Sequence, residues 1–171
     1  MISKRSTKLT RGVATALTAL LLLAGCGTSD KEKPLQTRSK DDAAKQVETY
    51  FRDLAVLVTG NPEAPSKKFG LGPAPCEGRN GEAAKDDRFY VLGTYSLRLS
   101  SEQHKAALDK LREDWRNKHY EITEDLHQVK DGTWSITVRN PADGFNINAD
   151  EPNDENIGFM ITSPCYLPNS S

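Results

Sequence analysis

Phe-Tyr-Val-Leu-Gly-Thr-Tyr-Ser-Leu-Arg-Leu-Ser-Ser-Glu-Gln-His-Lys-Ala-Ala-Leu-Asp-Lys-Leu-Arg-Glu-Asp-Trp-Arg-Asn-Lys, residues 89–118, changes its apolar period partway along. From Phe89 to Leu99 the period is two: Phe89, Val91, Tyr95, Leu97 and Leu99 share one face with Gly93, and Tyr90, Leu92, Thr94, Ser96 and Arg98 share the other. That is a half-buried strand. From Ser100 the spacing becomes helical, with Ala107, Leu108, Leu111 and Trp115 on one stripe. Ser100 is an N-cap and Gln103 completes a capping-box pattern, so the helix starts sharply and ends near Lys118.

Upstream, Ala44, Val47, Phe51, Leu54 and Val58 fall on one face of a helix from Asp41 to Thr59, closed by Gly60 and Pro62. Downstream the pattern is again strand-like. Tyr120, Ile122 and Leu126 share a face before a turn at Lys130-Asp131-Gly132. Trp134, Ile136 and Val138 alternate, as do Phe145, Ile147 and Ala149, and then Ile157, Phe159 and Ile161. Residues 61–87 are rich in Pro and Gly and read as a long loop. The order is α-β-α-β-β-β-β, and every strand has one apolar and one polar face. This predicts an α+β two-layer sandwich: a five-stranded, mostly antiparallel sheet with both helices on one face.

The other end of the chain sets the compartment. Lys4, Arg5, Lys8 and Arg11 precede an apolar run from Val13 to Leu23, and Ala24 and Gly25 are small. Residues 1–25 therefore read as a cleaved signal peptide. The run is short for a membrane-spanning helix, which needs about 20 apolar residues. Leu23-Ala24-Gly25-Cys26 resembles the bacterial lipobox. The resemblance implies that Cys26 receives a diacylglyceryl group, becomes the N-terminus and anchors the chain on the extracytoplasmic face of the cell membrane. Two acyl chains hold a protein stably where one does not. Residues 26–40 are polar and read as a flexible tether, leaving 41–171 as a single globular domain.

Removing four signal-peptide cations from the 23 Lys+Arg leaves 19 against 24 Asp+Glu, a net charge of -5. Such a chain is not a nucleic-acid binder by its electrostatics, and its contact with the membrane would run through the lipid. Cys76 and Cys165 remain in an oxidising compartment and are expected to form a disulfide. Closing a loop of about 89 residues would contribute roughly 4–5 kcal/mol in the chain-entropy model. With hairpins between the last four strands, both cysteines fall at one end of the sheet if the first strand pairs with the fifth. The predicted strand order is therefore 2-3-4-5-1.

This layout resembles the mycobacterial LppA-type envelope lipoproteins, which also show a lipobox, a helix, a cysteine in a loop, a strand–helix–strand unit and a late cysteine. The corresponding pieces here are Leu23-Ala24-Gly25-Cys26, Cys76, residues 89–118 and Ser163-Pro164-Cys165. The resemblance implies an actinobacterial envelope location and a disulfide-closed domain, and it brings no catalytic residue with it.

Motifs for chemistry are sparse. His104, His119 and His127 have no metal-ligand spacing, and the last two would stand about 26 Å apart along one strand, so all three are expected on the solvated surface. Asp143 to Glu155 is crowded with oxygen ligands, but it lacks EF-hand spacing, and Asx residues are also what two hairpin turns require. No metal or cofactor is expected; calcium at that segment stays open. There is no G-x-S-x-G, no phosphate loop and no singled-out carboxylate pair. The chain is expected not to be an enzyme. What remains is the open face of the sheet, with Tyr90, Leu92, Arg98, Arg139 and Met160 as a surface for an envelope protein partner. The functional expectation is a lipid-anchored binding or accessory module of the envelope; the alternative is an envelope hydrolase with an unrecognised site.

Overall fold

The computed structural model of the chain describes residues 35–64, 66–78, 80–127 and 134–169. The expected signal peptide, Cys26, the first part of the expected tether and the expected turn at Lys130-Asp131-Gly132 lie outside the described residues. In chain order the elements are β1 (Gln36–Arg38), α1 (Lys40–Thr59), β2 (Ser66–Pro75), β3 (Phe89–Arg98), α2 (Ser101–Asn117), β4 (Glu121–His127), β5 (Trp134–Arg139), β6 (Asn146–Asn153), β7 (Asn156–Thr162) and β8 (Tyr166–Pro168).

Both helices form where their ends are satisfied. The Ser39 hydroxyl accepts the Asp42 N–H at 3.0 Å, and Asp41 and Asp42 complement the positive end of α1. Gly60, at φ 71°, closes it by donating its N–H to Val56 O. At α2, Gln103 Oε1 accepts from the Ser100 N–H at 3.3 Å, the return half of the capping box. Its far end is a Schellman closure: Tyr120 N–H reaches Trp115 O and His119 N–H reaches Arg116 O, with His119 left-handed at φ 56°.

The core is one cluster between the helices and a single sheet face. Val47, Leu54 and Val58 of α1 and Leu108, Leu111 and Trp115 of α2 pack on Val91, Leu97, Ile136, Val138, Ile147, Ile157 and Phe159. At its centre Val47 lies over Gly93, while Phe51 stacks on Tyr95 with ring centroids 4.2 Å apart.

The five expected strands are neighbours in the sequence β4-β5-β6-β7-β3, but they are not the whole sheet. The sheet has eight strands in the order β1-β8-β3-β7-β6-β5-β4, with β2 also paired to β3. A five-stranded sheet ordered 2-3-4-5-1 is thus corrected at the β3 side. Residues 66–75, expected as part of a long loop, form β2, a ten-residue strand antiparallel to β3. Its composition misleads because it is an edge. Cys76 N–H donates to Arg88 O, so alternation along the ladder turns positions 73 and 75 away from β3. Proline is tolerated at such outward positions, where no ladder donor is lost.

β7 and β8 are one strand interrupted by a bulge. The β3 partners run from Leu92↔Thr162 to Phe89↔Tyr166, which leaves one extra residue on the β7–β8 side. Ser163 fills the break. Its N–H donates to Val91 O and its Oγ accepts the Val91 N–H, both at 2.9 Å. A side-chain oxygen thus restores the acceptor that the ladder loses ahead of Pro164. β1 then pairs parallel with β8. The expected tether therefore ends early: Gln36–Arg38 is strand and Lys40 already helix.

On β4, a register shift between Ile122 and Glu124 breaks the expected shared face, and Ile122 and Leu126 are both exposed. Cys76 and Cys165 are disulfide-bonded, with Cα atoms 6.0 Å apart. Cys76 is buried, so the bond pins the segment after β2 against the bulge before β8.

Candidate functional site

The side of the sheet away from the helices carries the even-numbered side chains of β3, β6 and β7. Register sets them in ranks. One rank runs Ser135, Asp150, Gly158, Ser96; the next runs Thr137, Asn148, Met160, Thr94. Where these ranks meet the β6–β7 hairpin there is a groove of about 350 Å³, lined by Phe69, Thr94, Ser96, Asn148, Asp150, Pro152, Asn153, Asn156, Gly158 and Met160 among others.

Gly158 lets the Asp150 carboxylate lean over β7 into the groove. A Cβ there would collide with Asp150 Oδ1, which leans across the glycine. Much of the polar lining is held by neighbours. Asn148 Nδ2 donates to Ser135 Oγ at 2.9 Å and to Thr137 Oγ1 at 3.1 Å. Ser96 Oγ donates to Asn156 Oδ1 at 3.1 Å, and Asn156 Nδ2 donates to Asn153 Oδ1 at 2.9 Å. Asp150 takes part in no ion pair among the described residues. Burial pushes its carboxyl above the ordinary carboxylate value. The apolar walls are Met160, 46 % exposed, and Phe69, 61 % exposed. Phe69 sits at the β2 register shift, with Lys67 Nζ 4.7 Å from its ring centroid.

The expected partner surface is only partly gathered here. Met160 lies in the groove; Leu92 is one rank further on and Tyr90 beyond it, both half-buried and flanked by β2. Arg139 is three strands from β3 and lies 3.9 Å from Glu121 Oε2. Arg98, at the end of β3, lines a different hollow of about 490 Å³ with Val58, Glu102 and Lys110, beside the helices. Phe69 escaped sequence reading because its segment looked like loop. Its signal was Lys67-Lys68-Phe69, an aromatic between cations and glycines with no partner of its own periodicity.

Two polar clusters elsewhere are built into the fold. His104, expected on the surface, is 2 % exposed. Its Nδ1 is 2.5 Å from Glu151 Oε1 and its Nε2 is 2.9 Å from Leu99 O. A carbonyl only accepts, so Nε2 donates to Leu99 O and Nδ1 faces the Glu151 carboxyl. His104 continues the stripe of Ala107, Leu108, Leu111 and Trp115 one turn back, which was the available signal. His119 is exposed, as expected. The second cluster takes Asp143 out of the oxygen-rich segment: Asp143 Oδ2 accepts from Tyr50 OH at 2.6 Å and its Oδ1 from the Phe145 N–H. Asn140 Nδ2 donates to Tyr50 OH, and burial followed by the Asp143 bond pushes the Tyr50 hydroxyl far above its ordinary value. Among the described residues no group of three His, Cys, Asp or Glu converges as metal ligands would.

No protein-family model matches the chain, and no curated protein matches it. Among solved structures it is similar to LppA, a candidate lipoprotein of Mycobacterium tuberculosis, at 16 % identity and a TM-score of 0.47, over 77 % of this chain and 79 % of that one.

Proposed function

We propose that the chain is a lipid-anchored, extracytoplasmic binding or accessory module of the bacterial envelope. The reading of its N-terminus supports the anchor: a basic start, an apolar run and Leu23-Ala24-Gly25-Cys26. The observation that carries the binding role is the groove on the helix-free face. There an aromatic side chain and a methionine stand exposed beside a partly buried carboxylate on an otherwise polar sheet. Exposed apolar groups grouped around convergent polar atoms mark contact surfaces.

The test keeps the chain in its membrane. A photo-crosslinking residue is placed at Phe69 and, as a control, at Lys45 on the exposed side of α1. Adducts with an envelope component that form from position 69 and not from position 45 support the module. Equal labelling from both positions, or none, sinks it. In parallel, the Cys26→Ala chain should leave the membrane fraction; if it stays there with unchanged mass, the anchor is wrong.

A further inference from the structure

We propose that the groove between Asp150 and Met160 is a subsite for a lysine side chain presented by a partner polypeptide. This rests on the binding-module reading above and deepens it. Asn148 and Asp150 are adjacent on one face of β6, and both N–H groups of Asn148 are already given to Ser135 and Thr137. The two residues therefore offer acceptors alone: the Asn148 carbonyl and the Asp150 carboxylate. An ammonium has three donors and no acceptor, so it fits such a pair as a hydroxyl-rich ligand, which brings lone pairs as well as donors, does not.

Charge points the same way. Asp150 is the single ionisable carboxylate in the lining, no Lys or Arg lines the groove, and Lys67, opposite Ser96 in the same rank, is turned over the Phe69 ring and makes no ion pair with Asp150 among the described residues. The mature chain is acidic overall, at 19 Lys+Arg against 24 Asp+Glu. Length and polarity along the site also match. Gly158 lets the Asp150 carboxylate lean across β7, and Met160, the glycine's neighbour in face and strand, borders the groove beside it with an exposed thioether. A four-carbon stem lies along Met160 while its head reaches Asp150, which is how lysine buries a stem and keeps a charged head satisfied. Phe69 stands at the far wall, where its ring already accepts the Lys67 ammonium on one side.

The experiment titrates the full chain, isolated from membranes in a nonionic detergent, and follows backbone amide shifts. Three probes are used: Ac-Ala-Lys-Ala-NH2, the same peptide with norleucine for lysine, and n-butylammonium. The lysine peptide should give saturable shifts at Asp150, Gly158 and Met160. Its affinity should be at least about tenfold above the norleucine peptide, fall by about the same factor in Asp150→Asn, and weaken with salt. Gly158→Ala, which puts a methyl group under the carboxylate, should abolish the shifts while the remaining spectrum stays folded. The inference is overturned by an absence of saturable shifts, by equal binding of the norleucine peptide, or by unchanged binding in Asp150→Asn. If n-butylammonium binds as tightly as the peptide, the site takes a small amine and the polypeptide source is refuted. Failure here with crosslinking from position 69 retained removes the lysine assignment and leaves the module; loss of both removes the module too.

Discussion

Val47 Cγ1 occupies the space a side chain at Gly93 would need. A Cβ built on Gly93 collides with that methyl group and with the Tyr95 ring. The helix can sit this low on β3 because the strand is bare at that point. Gly93→Ala is expected to destabilise the domain by about 1–3 kcal/mol, the range for overpacking a filled core. Urea unfolding would check it, and pairing it with Val47→Ala should recover part of the loss. A Gly93→Ala chain as stable as the parent would show that α1 is not seated as described.

The disulfide joins the segment after β2 to the residue before β8. Cys76→Ser with Cys165→Ser should cost roughly 2–5 kcal/mol. Because β2 is laddered to β3 over its length, proteolysis of this variant should cut within 77–88 rather than throughout 61–87. Limited digestion with mass mapping distinguishes the two outcomes.

Glu151 and His104 form a pair with side chains 13 % and 3 % exposed. Removing one partner leaves the other buried without its bond. Glu151→Ala should therefore cost about 1–3 kcal/mol, the range for leaving a buried hydrogen-bonding group without its partner, and Glu151→Ala with His104→Leu should cost less than the sum of the singles. Additive losses in a double-mutant cycle would mean that the contact contributes nothing.

Asp150 makes a prediction about pH. Burial raises its carboxyl in the folded chain above the ordinary value. Between the unfolded and the folded value the native state binds more protons, so this residue's contribution to stability falls as pH rises through that interval. At neutral pH the charged carboxylate is a cost that Asp150→Asn removes. The variant should melt above the parent at pH 7, and the difference should shrink as pH falls from the raised value to the ordinary carboxylate value and stay constant below it. A difference independent of pH would count against the burial.

The parts of the fold that could be read from residues were those whose periodicity reports a buried face. Phe89–Leu99, the α2 stripe and the three short alternations after Trp134 each declare which side meets the core. β2 could not be read that way, because its register comes from β3 and its outward positions accept Pro73 and Pro75 without loss. β1 and β8 are three residues each, too short for any period, and are held by pairing and by Ser163. The groove was half-legible for the same reason. Met160 declared itself by parity, whereas Phe69 depended on an unseen strand and Gly158 on what leans over it.

β1 pairs with β8, and Arg38 Nη1 donates to Tyr166 OH across 128 residues of sequence. The first described strand thus takes its partner from the last. A chain made N-terminus first cannot pair β1 until residues 166–168 have been made. Cys165, one residue before β8, cannot bond to Cys76 until the same stage. Closure of the sheet at this edge is therefore a late step of synthesis, set by the order of the strands.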